Sequence, residues 1–337
     1  DRATDWLDQN SAGTGPYVLK KWTRGVEVVL ERNPNYWRRP ASFARIVIRD
    51  IPDPATQLEQ VERGDVAIAE SLDADLTARF RRSAKGQVVE GNTLDMIYLA
   101  MTTSPQVSSA LAERKLRQAV MYAIDYDGII KGLMRGAAVQ LPTVIPVGLL
   151  GSDPALAPKR DLARARQLLA EAGYPNGFSV KMVYPTRVLV GGLSAETLVT
   201  KLQADLAKVG VQLGLEPREA VAWRADYRAG KLAITIADWT PDFPDTHGWA
   251  VPFAVKGAAA ARRVHYDNPR AAQLAIEAGR ITDPARRAQM YRELQQIFNT
   301  DAAYVGLIQP KVNLAVGPGV AGVIYNPVYF LDYYYVR

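Results

Sequence analysis

Trp239, Asp242 and Asp245 fall in one short stretch, Trp239-Thr240-Pro241-Asp242-Phe243-Pro244-Asp245. Carboxylates beside an indole suit the holding of a cation. An ammonium group taken out of water needs an anionic partner, because an unpaired buried charge is very costly. A flat indole supplies a wall for backbone or side chain. The same residue types have plainer uses: Asp next to Pro commonly caps a turn, and a Trp closing an apolar strand commonly packs in a core. As a carboxylate pair, Asp242 and Asp245 would also suit acid–base glycoside hydrolysis, but nothing else in the chain supports that chemistry. Tyr184 and Arg187 follow the apolar run 178–184. Loops at strand C-termini of open α/β sheets line ligand clefts, and a guanidinium fork there can hold a carboxylate. Trp249, with Phe253, would extend an aromatic lining.

Other chemistries lack their residues. Cysteine is absent, which excludes disulfides, thiolate metal sites and Cys nucleophiles, and the only imidazoles are His247 and His265. Gly13-Thr14-Gly15-Pro16 lacks the third Gly and the following helix of a phosphate loop. Gly192-Leu193-Ser194 is not a nucleophile elbow. No cofactor is expected. The net charge of +6 invites a nucleic-acid reading. Yet Lys and Arg alternate with Asp and Glu, and the densest basic runs, such as Arg79-Phe80-Arg81-Arg82, are short. A mixed solvated surface with no nucleic-acid partner is the expectation. No apolar run approaches the length of a membrane span. The chain opens Asp1-Arg2-Ala3-Thr4-Asp5, without Met or an apolar leader core, which reads as a chain from which something upstream has been removed.

The elements that must position these residues follow from periodicity. With 337 residues, 48% of them hydrophobic, one large or two ordinary domains are expected. Gly13 to Leu30 reads as a turn feeding a β-hairpin, with Arg24-Gly25 between its strands and Asn33-Pro34-Asn35 as its stop. Strands are expected at 45–49, 66–69, 88–89, 96–101, 177–184, 211–215, 232–237 and 304–309. Helices are expected from Pro54 to about Arg63, then at 73–82, 112–134, 161–172, 194–209, 220–229, 268–279 and 284–299. The stretch 238–252 reads as irregular. Alternation of strand and helix between 110 and 310 predicts an α/β lobe, while residues 1–105 are richer in strand.

Five motifs, in order, carry a family resemblance: Gly13-Thr14-Gly15-Pro16-Tyr17 with Leu30-Glu31-Arg32-Asn33-Pro34-Asn35-Tyr36-Trp37; Leu116 to Ile130; Ala163 to Tyr174; Trp239 to Asp245; and His265-Tyr266-Asp267-Asn268-Pro269 followed by Thr282 to Arg287. Together they resemble the extracellular solute-binding proteins of ABC importers, family 5, the peptide/nickel/opine type. The resemblance implies an α/β periplasmic binding protein-like (type II) fold of two lobes with a hinge. It divides the chain into 1–109, a remainder of lobe I; 110–309, lobe II; and 310–337, a return to lobe I. It implies a monomeric, non-enzymatic protein, periplasmic or extracellular and membrane-associated, that delivers a small peptide or peptide-like ligand to a membrane permease. Asp242 matches the family position that pairs with a ligand's amino group. Asp95 and Tyr98 lie on the strand leading to the hinge, where such proteins present cleft residues. Nickel, opine or oligosaccharide binding, and a sensor or docking role without transport, remain open within the resemblance. The departure is at the start: family members carry a substantial portion before the first motif. The chain is therefore expected to be a fragment whose first lobe is incomplete and leaves apolar strand faces uncovered.

Overall fold

A computed structural model describes every residue except Asp1, Asp8, Gln9, Ser71, Pro241 and Tyr329. The chain forms two compact units, Asp1–Gly91 with Val312–Arg337, and Asn92–Lys311. The expected crossing at 109/110 thus lies at Gly91/Asn92, and the return expected at 310 lies at Lys311/Val312. The first difference has a simple cause. The strand Met96–Met101 is buried at every position and pairs antiparallel with Ile234–Trp239 on one side and the start of Tyr304–Val316 on the other. It is an inner strand of the second unit, and residues 92–109 go with it.

In the first unit, Tyr17–Thr23, Glu27–Arg32 and Arg45–Arg49 form an antiparallel sheet in sequence order. Asn33 closes the hairpin. Its Nδ2 donates to the Gly15 carbonyl at 2.9 Å, its Oδ1 accepts from the Asn35 N–H at 2.9 Å, and its own N–H donates to the Pro16 carbonyl at 2.9 Å. Helices Pro54–Arg63 and Ala74–Ser83 are N-capped by Asp53 and Asp73. They bury Leu58, Val61 and Phe80 against Ala69, Leu72 and Ala315. Trp22, Trp37 and Val47 stay 52%, 67% and 41% exposed. A cavity of about 620 Å³ lies against the edge strand Arg45–Arg49, with Ile46, Ile48, Val66, Leu331 and Val336 in its wall.

The second unit holds a mixed sheet in the order Tyr304–Val316 (through Lys311), Met96–Met101, Ile234–Trp239, Ser179–Pro185, Gln212–Arg218. Ser179–Pro185 is parallel to both of its neighbours. Parallel pairing requires a crossover, and helix Ala195–Ala207 supplies one between Ser179–Pro185 and Gln212–Arg218. Leu198, Val199, Leu202 and Leu206 of that helix join Met182, Ile234 and Ile236 in the main core.

Three elements depart from the periodic reading. The expected helix 112–134 is Arg114–Ala123 followed by a π-helical turn, Gly128–Leu133. Asp125 breaks it: its Oδ1 accepts from the Gly128 N–H at 3.1 Å while its Oδ2 is held by Lys201 Nζ at 3.0 Å, the local competition that makes Asp a poor helix interior residue. The irregular stretch 238–252 contains the start of a helix, His247–Ala254, because Trp249, Ala250, Phe253 and Ala254 are all buried and packing overrides the Pro252 signal. The strand expected at 304–309 runs to Val316, where Ala315 and Val316 pair with Ala69 and Ile68. Among the described residues, no helix is long and apolar enough to cross a membrane.

Candidate functional site

The candidate residues that come together do so at one strand end of the second unit. Ile234–Trp239 is buried through Ala237 and only half-buried at Asp238 and Trp239. Its register sets Trp239 opposite Met96 and Asp238 opposite Ile97. Because Ser179–Pro185 runs parallel to it, the loop after that strand emerges at the same end of the sheet. Arg187 lies in this loop, and its Nη2 donates to Asp238 Oδ1 at 2.6 Å. The Arg187 guanidinium also sits 5.8 Å from the Trp223 ring. Trp223 stacks on Tyr227 at 5.4 Å, and its Nε1 donates to Thr235 Oγ1 at 2.9 Å. The Tyr227 and Tyr98 hydroxyls are 3.0 Å apart. Arg263 closes the group, its guanidinium 5.1 Å from the Tyr227 ring and 5.7 Å from the Trp239 ring. Trp239 meets Phe253 edge-on at 5.1 Å.

Asp95 is beside this strand end and only 4% exposed. Burial pushes its carboxyl up to about 6; a hydrogen bond from Thr240 opposes the shift and the Asp238 charge adds to it. Its Oδ1 is buried with no hydrogen-bond partner, and the same holds for the Nε atoms of Arg187 and Arg263. Three polar atoms without partners therefore belong to side chains that each touch Asp238, Trp239 or Thr240.

Arg187, Trp239 and Asp95 are thus neighbours. Asp242, two residues beyond Thr240, is exposed, as is Phe243, while Pro241 lies outside the described residues. The other three candidates lie elsewhere in the second unit. Asp245 accepts a two-pronged pair from Arg287 Nη1 and Nη2 at 2.8 and 2.6 Å and caps the His247 N–H at 2.8 Å. The Arg287 hydrogen bonds hold its carboxyl below the usual range despite partial burial. Tyr184 lies in the main hydrophobic core. Trp249 is completely buried, its indole Nε1 without a hydrogen-bond partner. A concavity of about 420 Å³ in the same unit is walled by Ser179 to Lys181 and Gly214 to Glu216, and includes none of the candidates. Among the described residues, no group of His, Asp and Glu could hold a metal ion.

Sequence reasoning passed over Asp238, Trp223, Tyr227 and Arg263. Trp223 and Tyr227 stand four apart on helix Ala220–Arg228, a spacing that puts both on one face. Arg263 was hidden in the pair Arg262-Arg263, which reads as solvated surface. Asp238 carried no signal of its own beyond closing an apolar run.

Comparison with known proteins gives this geometry a setting. A probable D,D-dipeptide-binding periplasmic protein of Escherichia coli is 30% identical over 331 residues, 97% of this chain and 63% of the relative. Heme-binding protein A of Haemophilus influenzae is 26% identical, over 97% of this chain and 60% of the relative. The chain therefore spans somewhat over half the length of these relatives. Among solved structures, the dipeptide-binding protein of a Pseudoalteromonas species in complex with Met-Leu superposes with a TM-score of 0.81 at 22% identity, covering 96% of this chain and 64% of that one. An ABC transporter-associated periplasmic binding protein of Helicobacter pylori, in complex with a peptide, gives 0.80 at 24% identity, covering 96% and 63%. At such identities the likeness shows the fold, which is that of the periplasmic binding proteins. A family model, described as bacterial extracellular solute-binding proteins, family 5 Middle, matches residues 1–260. With most of its length under that model, this chain belongs to the family 5 bacterial extracellular solute-binding proteins.

Proposed function

We propose that the protein captures a small peptide or peptide-like solute outside the cytoplasm, as a monomer and without altering it chemically, for delivery to the membrane permease of an ABC importer. The observation that carries this reading is the strand end at Asp238–Thr240. There carboxylates, guanidinium groups and aromatic faces are assembled side by side, and polar atoms are left without partners. A zwitterionic peptide brings the complementary groups: an ammonium, a carboxylate and amides. The names of relatives that bind dipeptides support the same class. Asp242, exposed at the head of the adjoining loop, is the carboxylate that would meet the ligand's amine, and Arg187 would face its carboxylate.

Asp242→Asn keeps the shape and removes the charge. A charge-assisted hydrogen bond is worth roughly 1.5–3 kcal/mol, so calorimetry should show dialanine binding weakened by about ten- to a hundred-fold, with N-acetyl-dialanine little affected. Equal losses for both peptides would mean that Asp242 only shapes its loop. Some relatives are named as heme- or nickel-binding. Tight, stoichiometric haem or nickel uptake with no response to dialanine would replace the peptide reading.

A further inference from the structure

We infer that Asp95 is a specificity-determining residue for a cationic group of the bound solute, its unpartnered Oδ1 being an acceptor that the ligand completes. This rests on the solute-binding reading and adds a residue to it. The backbone on either side of Asp95 is hydrogen-bonded. The Asp95 N–H donates to Thr93 Oγ1 at 3.2 Å, and that hydroxyl donates to the Pro310 carbonyl at 2.8 Å. The Thr93 carbonyl accepts from Gln309 Nε2 at 2.6 Å; the same Gln309 amide also receives the Val147 N–H on its Oε1 at 2.8 Å. The backbone that presents Asp95 is therefore fixed from two sides. Thr240 bonds its carboxyl. Against this background one carboxylate oxygen is buried and empty-handed, a condition native proteins rarely tolerate without a reason.

The resident cations do not serve it. Arg187 is committed to Asp238, and Arg263 lies over the Tyr227 and Trp239 rings. Asp238 adds negative charge beside Asp95 rather than relieving it. An incoming ammonium or amidinium would find a fixed acceptor, a second carboxylate and an indole face at once. A neutral ligand would leave the oxygen as it is. The site should therefore prefer solutes that carry a cation, and Asp95 should contribute to that preference alongside Asp242.

The test is calorimetric binding of dialanine and N-acetyl-dialanine to the chain and to Asp95→Asn, with thermal unfolding of both proteins. The expected result is a loss of about tenfold or more for dialanine, less than twofold for the acetylated peptide, and no fall in thermal stability, since a neutral amide relieves a buried charge. A side chain that merely holds the strand end would instead lower stability and weaken both peptides alike, and that pattern overturns the assignment. So does unchanged dialanine binding. If the asparagine variant fails to fold, Asp95→Ser, which keeps a hydroxyl for Thr240, carries the same expectations. Failure of the unaltered chain to bind either peptide would sink the peptide reading itself, whereas equal binding of the two peptides by the unaltered chain would spare that reading and overturn only cation recognition.

Discussion

At the scale of single residues, the two carboxylates Asp95 and Asp245 show how neighbours decide a role. Asp245 has a resident guanidinium with two prongs on it, so its charge is used up inside the fold. Asp95 has burial and a like charge beside it and only a threonine to offset them, so its charge is costly. That cost has a sign that can be read with pH. The folded value of about 6 lies above the ordinary aspartate value of 3.8, so the folded state binds the proton more tightly than the unfolded chain. The contribution of Asp95 to stability is then greatest below about pH 4 and is lost as pH rises through about 6. At pH 7 the ionised carboxylate costs up to about 3 kcal/mol. Urea unfolding of the chain and of Asp95→Asn between pH 4 and 7 should show the variant gaining on the parent as pH rises. A stability difference that stays flat across that range would mean that the carboxyl is not desolvated as described.

At the scale of elements, what was legible in the sequence is mainly scaffold. The motifs that carried the family resemblance turn out to hold strand ends and helix ends together. Asn33 ties the hairpin stop back to Gly15. Arg117 gives its Nε to the Asp301 carbonyl and its Nη1 to the carbonyls of Leu111 and Ala112, while Tyr266 and Asn268 both donate to the Asp301 carboxylate. The bonds to Asp301 link positions far apart in the chain, and no local periodicity announces them. The candidate site was half legible for the same reason: Trp239 and Arg187 stand out by type, but Asp238 and Arg263 acquire meaning only once strand register and a distant helix bring them to the same end of the sheet. The motif around Tyr174 yields a sharp expectation. Gly177 has φ +83°, and a Cβ there would lie 2.0 Å from the carbonyl oxygen of Gly210, itself at φ +85°. Neither backbone can yield without disturbing the start of Ser179–Pro185 or the end of helix Ala195–Ala207. Gly177→Ala should therefore destabilise the fold by at least about 2–4 kcal/mol, combining left-handed strain with backbone overlap. Equilibrium unfolding measures this directly, and a loss below about 1 kcal/mol would show that the two loops are not in the close contact described.

At the scale of the whole molecule, the two units differ in how their sheets are covered, and that difference should appear in their dynamics. Met96–Met101 is buried at every residue and hydrogen-bonded on both sides, within a core that also takes in three of its residues and the crossover helix. Among the described residues, Arg45–Arg49 is an edge strand paired with Glu27–Arg32 alone, and it is exposed at every residue but Ile46. The strand at the sheet's other edge, Tyr17–Thr23, has no buried residue, and Trp22 stands half in water. Local opening is cheapest where few apolar contacts back the hydrogen bonds. The contrast is partly legible in composition: Arg45–Arg49 has Arg at both ends and Tyr17–Thr23 carries Lys20 and Lys21, whereas Met96–Met101 has no charged residue. Amides of Tyr17–Thr23 and Glu27–Arg49 should therefore exchange with solvent deuterium well before those of Met96–Met101 and Ile234–Trp239. In rising urea, protection of the first group should vanish at a lower concentration. If both groups lost protection together across the whole urea range, the chain would be unfolding as one cooperative block, and the division at Gly91/Asn92 and Lys311/Val312 would describe geometry without describing stability.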